Sequence, residues 1–139
     1  MRRVLIVMSV ALLSLGFVHR RPSAPYRVAF DLTSRDTLDQ KAVLRWIKEI
    51  TTSHPEAEVE VVMYGKGFEL VMPERSLFIA DVQASLKNPK VSFKVCENSM
   101  RNNQIAKAQL QAGVQTVPEG IYELVTKQQE QWGYIKVGH

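Results

Sequence analysis

The chain has 139 residues and a formal net charge of +4 at neutral pH. This length fits one domain, and 45% hydrophobic with 23% charged residues excludes a wholly disordered chain. Four of its 18 Lys and Arg residues (Arg2, Arg3, Arg20 and Arg21) precede Tyr26, where there is no Asp or Glu. The other 14 balance 14 acidic residues. Because the net charge from Tyr26 onward is zero, the composition argues against a nucleic-acid-binding surface.

Residues 1–25 are typical of an export signal. A positive head, Arg2–Arg3, precedes an uncharged apolar run of 15 residues. As a helix this run would be about 22 Å long, which is short for a bilayer core of roughly 30 Å. Ser14 and Gly16 are small residues at the spacing that a signal peptidase accepts. We therefore predict a signal peptide, an exported or periplasmic protein, and one domain over 26–139. The alternative is an uncleaved N-terminal anchor, which would be the only contact with a membrane.

The first half of this domain alternates between strand and helix patterns. Tyr26–Leu32 is rich in β-formers, and Thr33–Ser34 can cap a helix that opens near Asp36. His54–Pro55 ends this helix, because the residue before proline is pushed out of helical geometry. Val59–Tyr64 is the second predicted strand. The helix carries an apolar stripe at i, i+3, i+4 and i+7: Val43, Trp46, Ile47 and Ile50.

The middle of the chain continues the alternation. A glycine turn, Gly65–Gly67, follows the second strand, and Glu69–Met72 is either a short edge strand or an extended turn. A helix opens at Pro73 and ends at Asn88–Pro89. Val91–Cys96 is the third predicted strand.

The last part of the chain adds two helices and two strands. Ser99–Ala112 is predicted to be a helix that stops at Gly113, followed by a strand over Val114–Val117. Thr116–Glu119 has the form of a capping box for the final helix, and Tyr134–Val137 forms the last strand. The final helix carries residues predicted to be core: Ile121, Leu124, Val125 and Trp132.

Strands that alternate with helices predict a mainly parallel sheet with helices on both faces. The predicted fold class is α/β, a three-layer α/β/α, doubly wound domain of about five strands. Ligands of such sheets bind beyond the carboxyl ends of the strands. Gly65 and Gly67 lie at one such end and are candidate binding residues, with Lys66 available to an anion. A plain tight turn is the alternative, because the P-loop spacing is absent.

Cys96 is the strongest candidate for chemistry. It is the single cysteine, so an internal disulfide is excluded, and it ends a strand just before a helix capped by Asn98 or Ser99. The positive end of a helix favours a thiolate, and Lys94 and Arg101 could add positive potential. The alternative is a buried, structural thiol. A cysteine–histidine pair is disfavoured by the positions of the histidines, and we predict no metal site and no cofactor.

The segment Val91–Met100, with Cys-x-Asn-Ser-Met, is similar to the strand–cysteine–helix segment of DsrE/DsrF-like proteins. Val117–Val125, with Val-Pro-x-Gly-Ile, and Trp132–Lys136 resemble the closing helix and strand of that family. The resemblance implies a homo-oligomer, trimer or hexamer. It also implies that Cys96 carries sulfur as a persulfide, with Asn98 and Ser99 lining its pocket.

Two functions remain open on these grounds. The first is a thiol-based sulfur carrier or sulfurtransferase-like protein, whose partner would be a persulfide donor or acceptor protein. The second is a non-catalytic, oligomeric, small-molecule-binding module of the cell envelope, in which Cys96 only packs. Nucleotide or flavin binding would rest on fold analogy alone.

Overall fold

The structure is a computed structural model that describes residues 24–138. The predicted signal peptide over 1–25 lies almost wholly outside these residues and stays a prediction. Within 24–138, no helix has the length and apolar character needed to cross a membrane. The strands are β1 Arg27–Leu32, β2 Glu58–Met63, β3 Val91–Cys96, β4 Gln115–Val117 and β5 Gly133–Val137. The helices are α1 Thr37–Ser53, α2 Ile79–Leu86, α3 Glu97–Asn102 and α4 Gly120–Gln129, with 3₁₀ turns at Gly67–Val71 and Lys107–Gln109.

All strand pairs are parallel, in the order β4-β3-β2-β1-β5. The predicted α/β fold with a parallel five-stranded sheet is confirmed. The first three crossovers step in one direction along the sheet, and the fourth steps back past β1. Because such crossovers are right-handed, α4 lies on the face opposite α1, α2 and α3.

The two faces of the sheet differ in chemistry. The face toward α1 and α2 is apolar: Phe30, Val61 and Phe93, each fully buried, alternate along their strands with residues that point to the other face. That other face, under α4, holds only a small apolar cluster with Val62 and Leu124 at its centre. A single helix therefore covers a face that also carries buried polar groups.

The helix predicted over Ser99–Ala112, with Asn98 or Ser99 as its cap, begins earlier and is shorter in the structure: α3 starts at Glu97, and Cys96 takes the cap position. The helix ends at Asn102, and Gln104 takes a left-handed conformation with φ of 55°. The Ile105 N–H then donates to the Met100 carbonyl oxygen at 2.9 Å, which closes the helix end. This closure buries Ile105 in the main core, so burial of one apolar side chain ends the helix early.

Several predicted helix starts are also corrected. Asp36 caps α1, accepting from the Leu38 N–H at 2.7 Å, in place of Thr33–Ser34. The segment after the glycine turn is a 3₁₀ turn and not an edge strand, and α2 begins at Ile79, several residues after Pro73. The Thr116 hydroxyl donates to the Glu97 carboxylate at 2.9 Å, so Thr116 does not cap α4.

Candidate functional site

Cys96 is the last residue of β3 and the residue that precedes α3. Its side chain is 5% exposed and lies on the α4 side of the sheet. Gly120, the first residue of α4, lies directly against it, because a β-carbon at residue 120 would lie 3.2 Å from Cys96 Cβ. The glycine thus lets the amino-terminal end of α4 reach the sulfur.

Two helix amino termini, those of α3 and α4, meet at the Cys96 sulfur. Burial raises the pKa of the Cys96 thiol, but hydrogen bonds from the backbone of Gly120, Ser99 and Asn98 and from the Ser99 side chain lower it more. The net pKa lies below the ordinary value, because these donors favour the charged form. The neutral thiol has one weak acceptor, the Pro118 carbonyl oxygen at 4.0 Å. The arrangement favours a thiolate.

A pocket of about 480 Å³ opens beside the sulfur. Its wall is formed by residues from the ends of β2 and β3 and from the first turns of α3 and α4: Tyr64, Cys96, Asn98, Ser99, Glu119, Gly120, Ile121, Tyr122 and Val125. Among these nine residues, Glu119 carries the one carboxylate. The structure therefore places the Cys96 thiol in a mostly apolar and aromatic pocket.

The prediction that the final helix buries its apolar stripe is wrong in part. Leu124 is 6% exposed, whereas Ile121 is 64% and Val125 is 41% exposed. The side of α4 that meets the sheet carries residues at i, i+3, i+4 and i+7: Gly120, Glu123, Leu124 and Lys127. Ile121 and Val125 line the Cys96 pocket instead, whereas Trp132 is partly buried against the small apolar cluster that contains Leu124.

The residues predicted for the site separate into two groups. Asn98 and Ser99 lie with Cys96 at the pocket, as the resemblance implies. Gly65 lies just outside it, where its N–H donates to the Ser99 hydroxyl oxygen at 3.1 Å. Gly67 is buried, and a β-carbon there would overlap the carbonyl oxygen of Leu32. The structure thus gives both glycines a packing reason, and their role in binding stays a prediction.

Lys94 and Arg101, the residues expected to stabilise the thiolate, interact with other groups instead. Lys94 lies 2.8 Å from Glu60 and 2.7 Å from Glu123, beneath α4. Lys127 adds to this ion network at 3.6 Å from Glu60. Arg101 donates to the Asn98 side chain. The backbone donors and the Ser99 side chain, and not these charged side chains, account for the lowered pKa of Cys96.

A second polar cluster was not predicted from the sequence. Asp31 in β1 is 2% exposed, and its Oδ2 accepts from the hydroxyls of Tyr64 at 3.2 Å and Tyr134 at 2.6 Å. Lys136 lies 3.6 Å from the same oxygen. The available signal was an acidic residue inside an otherwise apolar strand. This cluster links β1 to the Tyr64 wall of the pocket.

No protein-family model matches the chain, and no curated protein matches it. Several solved structures do match the chain. A protein of unknown function, MTH1491 from Methanobacterium thermoautotrophicum, is 26% identical, with a TM-score of 0.75 over 80% of this chain and 98% of its own. The ychN protein from E. coli is 13% identical, with a TM-score of 0.64 over 81% and 99%. BT1422 from Bacteroides thetaiotaomicron, also of unknown function, is 13% identical, with a TM-score of 0.59 over 80% and 94%. The chain has the DsrE-like α/β fold.

Proposed function

We propose that the chain is a member of the DsrE/DsrF-like family that carries sulfur on Cys96. The observation that carries this proposal is the position of the Cys96 thiol at the end of β3, against the first residue of α4 and beside a pocket. The net lowering of its pKa supports the proposal. A thiolate is the nucleophilic form of cysteine, and the hydrogen-bond donors that lower this pKa would stabilise a persulfide anion.

The proposed step is an exchange at sulfur. The Cys96 thiolate attacks the outer sulfur of a donor persulfide, so that an S–S bond forms to Cys96 and the donor S–S bond breaks. The donor leaves as a thiolate, and no net oxidation or reduction takes place. The attack needs the thiolate, and the lowered pKa of Cys96 makes this form more abundant than in a free cysteine. The nine residues that line the pocket include no histidine that could act as a base. A thiolate of an acceptor molecule would remove the sulfur by the same exchange.

We also propose that the carrier is a homo-oligomer, a trimer or hexamer, assembled through the outer face of α4. On that face Ile121 is 64% and Tyr122 is 68% exposed. Exposure of such an apolar patch to water is unfavourable, and a second copy of the chain would bury it. Both residues also line the Cys96 pocket, so a neighbouring copy would complete the pocket rim.

Export of the protein is a further part of the proposal, supported by the pattern of residues 1–25. Amino-terminal sequencing of the mature protein tests it. A mature chain that begins near residue 17 or 24 would support export. An intact Met1 on a cytoplasmic product would contradict it.

Mass spectrometry of the intact protein tests sulfur transfer. After exposure to inorganic polysulfide, the protein should gain the mass of one sulfur, and Cys96→Ser should gain none. Cyanide should then restore the original mass and release thiocyanate, because it removes the outer sulfur of a persulfide. A wild-type protein that gains no sulfur, or a Cys96→Ser variant that gains the same mass, would contradict the proposal.

The second candidate function is a non-catalytic binding module, and the apolar wall of the pocket favours it. Pockets for small molecules are mostly apolar with few polar groups. If this function is correct, Cys96→Ser keeps both assembly and ligand binding. If the carrier function is correct, the variant keeps assembly and loses sulfur transfer.

A further inference from the structure

Asp31 is a buried carboxylate whose two oxygens differ. Oδ2 accepts from the Tyr64 and Tyr134 hydroxyls and lies 3.6 Å from the Lys136 ammonium. Oδ1 is buried and has no hydrogen-bond partner among the residues that the structure describes. A buried acceptor without a donor costs stability.

Stability alone does not favour an aspartate at this position. Ala29 and Val62, nearby on the same face of the sheet, are apolar and buried, and a β-forming apolar residue at 31 would carry no such cost. The distinctive contribution of Asp31 is that it holds two tyrosine hydroxyls.

One of these tyrosines, Tyr64, is a wall of the Cys96 pocket. A β-carbon at Gly120 would lie 3.3 Å from Tyr64 Cδ1, so the ring packs beside the start of α4, in the same pocket wall as Cys96. Burial and the adjacent Asp31 carboxylate raise the pKa of Tyr64, so its hydroxyl stays protonated and donates to Asp31. The ring is therefore anchored by Asp31 at its hydroxyl and packs against the start of α4 at its edge.

We propose that Asp31 is a positioning residue of the Cys96 site: by holding the Tyr64 hydroxyl, it fixes the ring as a rigid wall and restricts access to the sulfur to narrow molecules. This inference rests on the proposed function, in which Cys96 is an accessible nucleophile. Because Cys96 is only 5% exposed although the pocket beside it is open, the substrate class that fits is a slender sulfur donor, such as a short polysulfide or the unbranched end of a persulfide.

The test compares two reagents with the same reactive group, iodoacetamide and an iodoacetamide with a large aryl substituent. The measured quantity is the ratio of the second-order rate constant of the bulky reagent to that of the small one. In Asp31→Val and in Tyr64→Phe this ratio should rise about threefold or more, and the double variant should show no further rise, because each change removes one partner of the same hydrogen bond.

Tyr134→Phe is the matched control. It removes the other hydroxyl from the same Asp31 oxygen, at a residue that does not line the pocket, and the ratio should stay within about twofold of the wild-type value. Thermal melting shows whether each variant folds. If Asp31→Val does not fold, Tyr64→Phe still tests the inference, because it leaves the carboxylate and its bond from Tyr134 in place.

The outcomes separate this inference from the proposed function. A wild-type thiol that reacts with neither reagent would overturn both. A reactive thiol whose ratio stays unchanged or falls in Tyr64→Phe would overturn the inference alone. A rise of the same size in Tyr134→Phe would overturn it too, since loss of either hydroxyl would then merely loosen the sheet.

Discussion

The α-carbon of Gly120 faces Cys96 so closely that a β-carbon at residue 120 would lie 3.2 Å from Cys96 Cβ. This contact brings the first N–H of α4 to the sulfur. Gly120→Ala should therefore push the helix start away, raise the pKa of the Cys96 thiol, and slow its alkylation at neutral pH about threefold or more.

The pH dependence of iodoacetamide alkylation measures this change. Gly133→Ala is the matched control, because a β-carbon at residue 133 would lie 3.4 Å from the Arg27 carbonyl oxygen, an ordinary contact. The control should keep the wild-type pKa of Cys96. Equal pKa values for wild type and Gly120→Ala would show that the α4 amide does not act on the sulfur.

Ser99 and Asn98 should differ in their effect on the thiol. Ser99 acts through its hydroxyl as well as its backbone, whereas Asn98 acts through its backbone alone. Ser99→Ala should raise the pKa of Cys96 and lower its reactivity at neutral pH, and Asn98→Ala should leave both unchanged. The same alkylation profile measures the two variants. A larger pKa rise in Asn98→Ala than in Ser99→Ala would contradict the geometry.

The stability of the protein should depend on the ionisation of Cys96. The folded state lowers the pKa of this thiol, so the folded state binds the proton less tightly than the unfolded state does. The resulting stabilisation is complete above the unfolded pKa and is lost as the pH falls through the folded pKa. The melting temperature of wild type relative to Cys96→Ser should therefore rise between pH 6 and about pH 9.5 under reducing conditions. A difference that is constant or falls over this range would contradict the lowered pKa.

Lys94 should act on stability and not on the thiol. It joins the buried Glu60 carboxylate to Glu123, and its removal leaves Glu60 poorly paired. Lys94→Met should reduce the free energy of unfolding by about 3 kcal/mol, and adding Glu60→Gln should recover much of that loss. Urea denaturation measures both variants. The pKa of Cys96 should stay unchanged in the double variant; a clear rise would restore Lys94 as an electrostatic partner of the sulfur.

The outer face of α4 should control assembly. Ile121→Lys places a charge on the proposed subunit contact and should shift the sedimenting species from an oligomer toward a monomer. Leu38→Lys is the matched control, because Leu38 is 69% exposed, close to the 64% of Ile121, and lies in the first turn of α1. Analytical ultracentrifugation measures both. A wild-type monomer, or an equal shift in both variants, would contradict assembly through α4.

The sequence predicted the sheet and the position of Cys96 because both follow from local patterns. Six-residue segments rich in valine and other apolar residues mark the central strands, and the strand–cysteine–helix order places the thiol at a strand end. The parallel arrangement then follows from the alternation of strands with helices. These features need no knowledge of distant contacts.

The side of α4 that packs against the sheet could not be predicted in the same way. Helical periodicity groups Ile121 with Val125, but it does not say which side of the helix meets the sheet. That choice depends on the pairing of Glu123 with Lys94, which is 29 residues earlier. The Asp31–Tyr64 bond spans 33 residues and was missed for the same reason.

The sulfur of Cys96 joins two parts of the chain that are remote in sequence, since its donors belong to α3 and to α4. A negative sulfur draws both helix ends together, and a neutral adduct, such as a carbamidomethyl group, withdraws that attraction. The packing of the start of α4 against the sheet should therefore depend on the chemical state of the Cys96 thiol. Amide hydrogen exchange at the start of α4 should be faster in the alkylated protein than in the free or sulfur-loaded one.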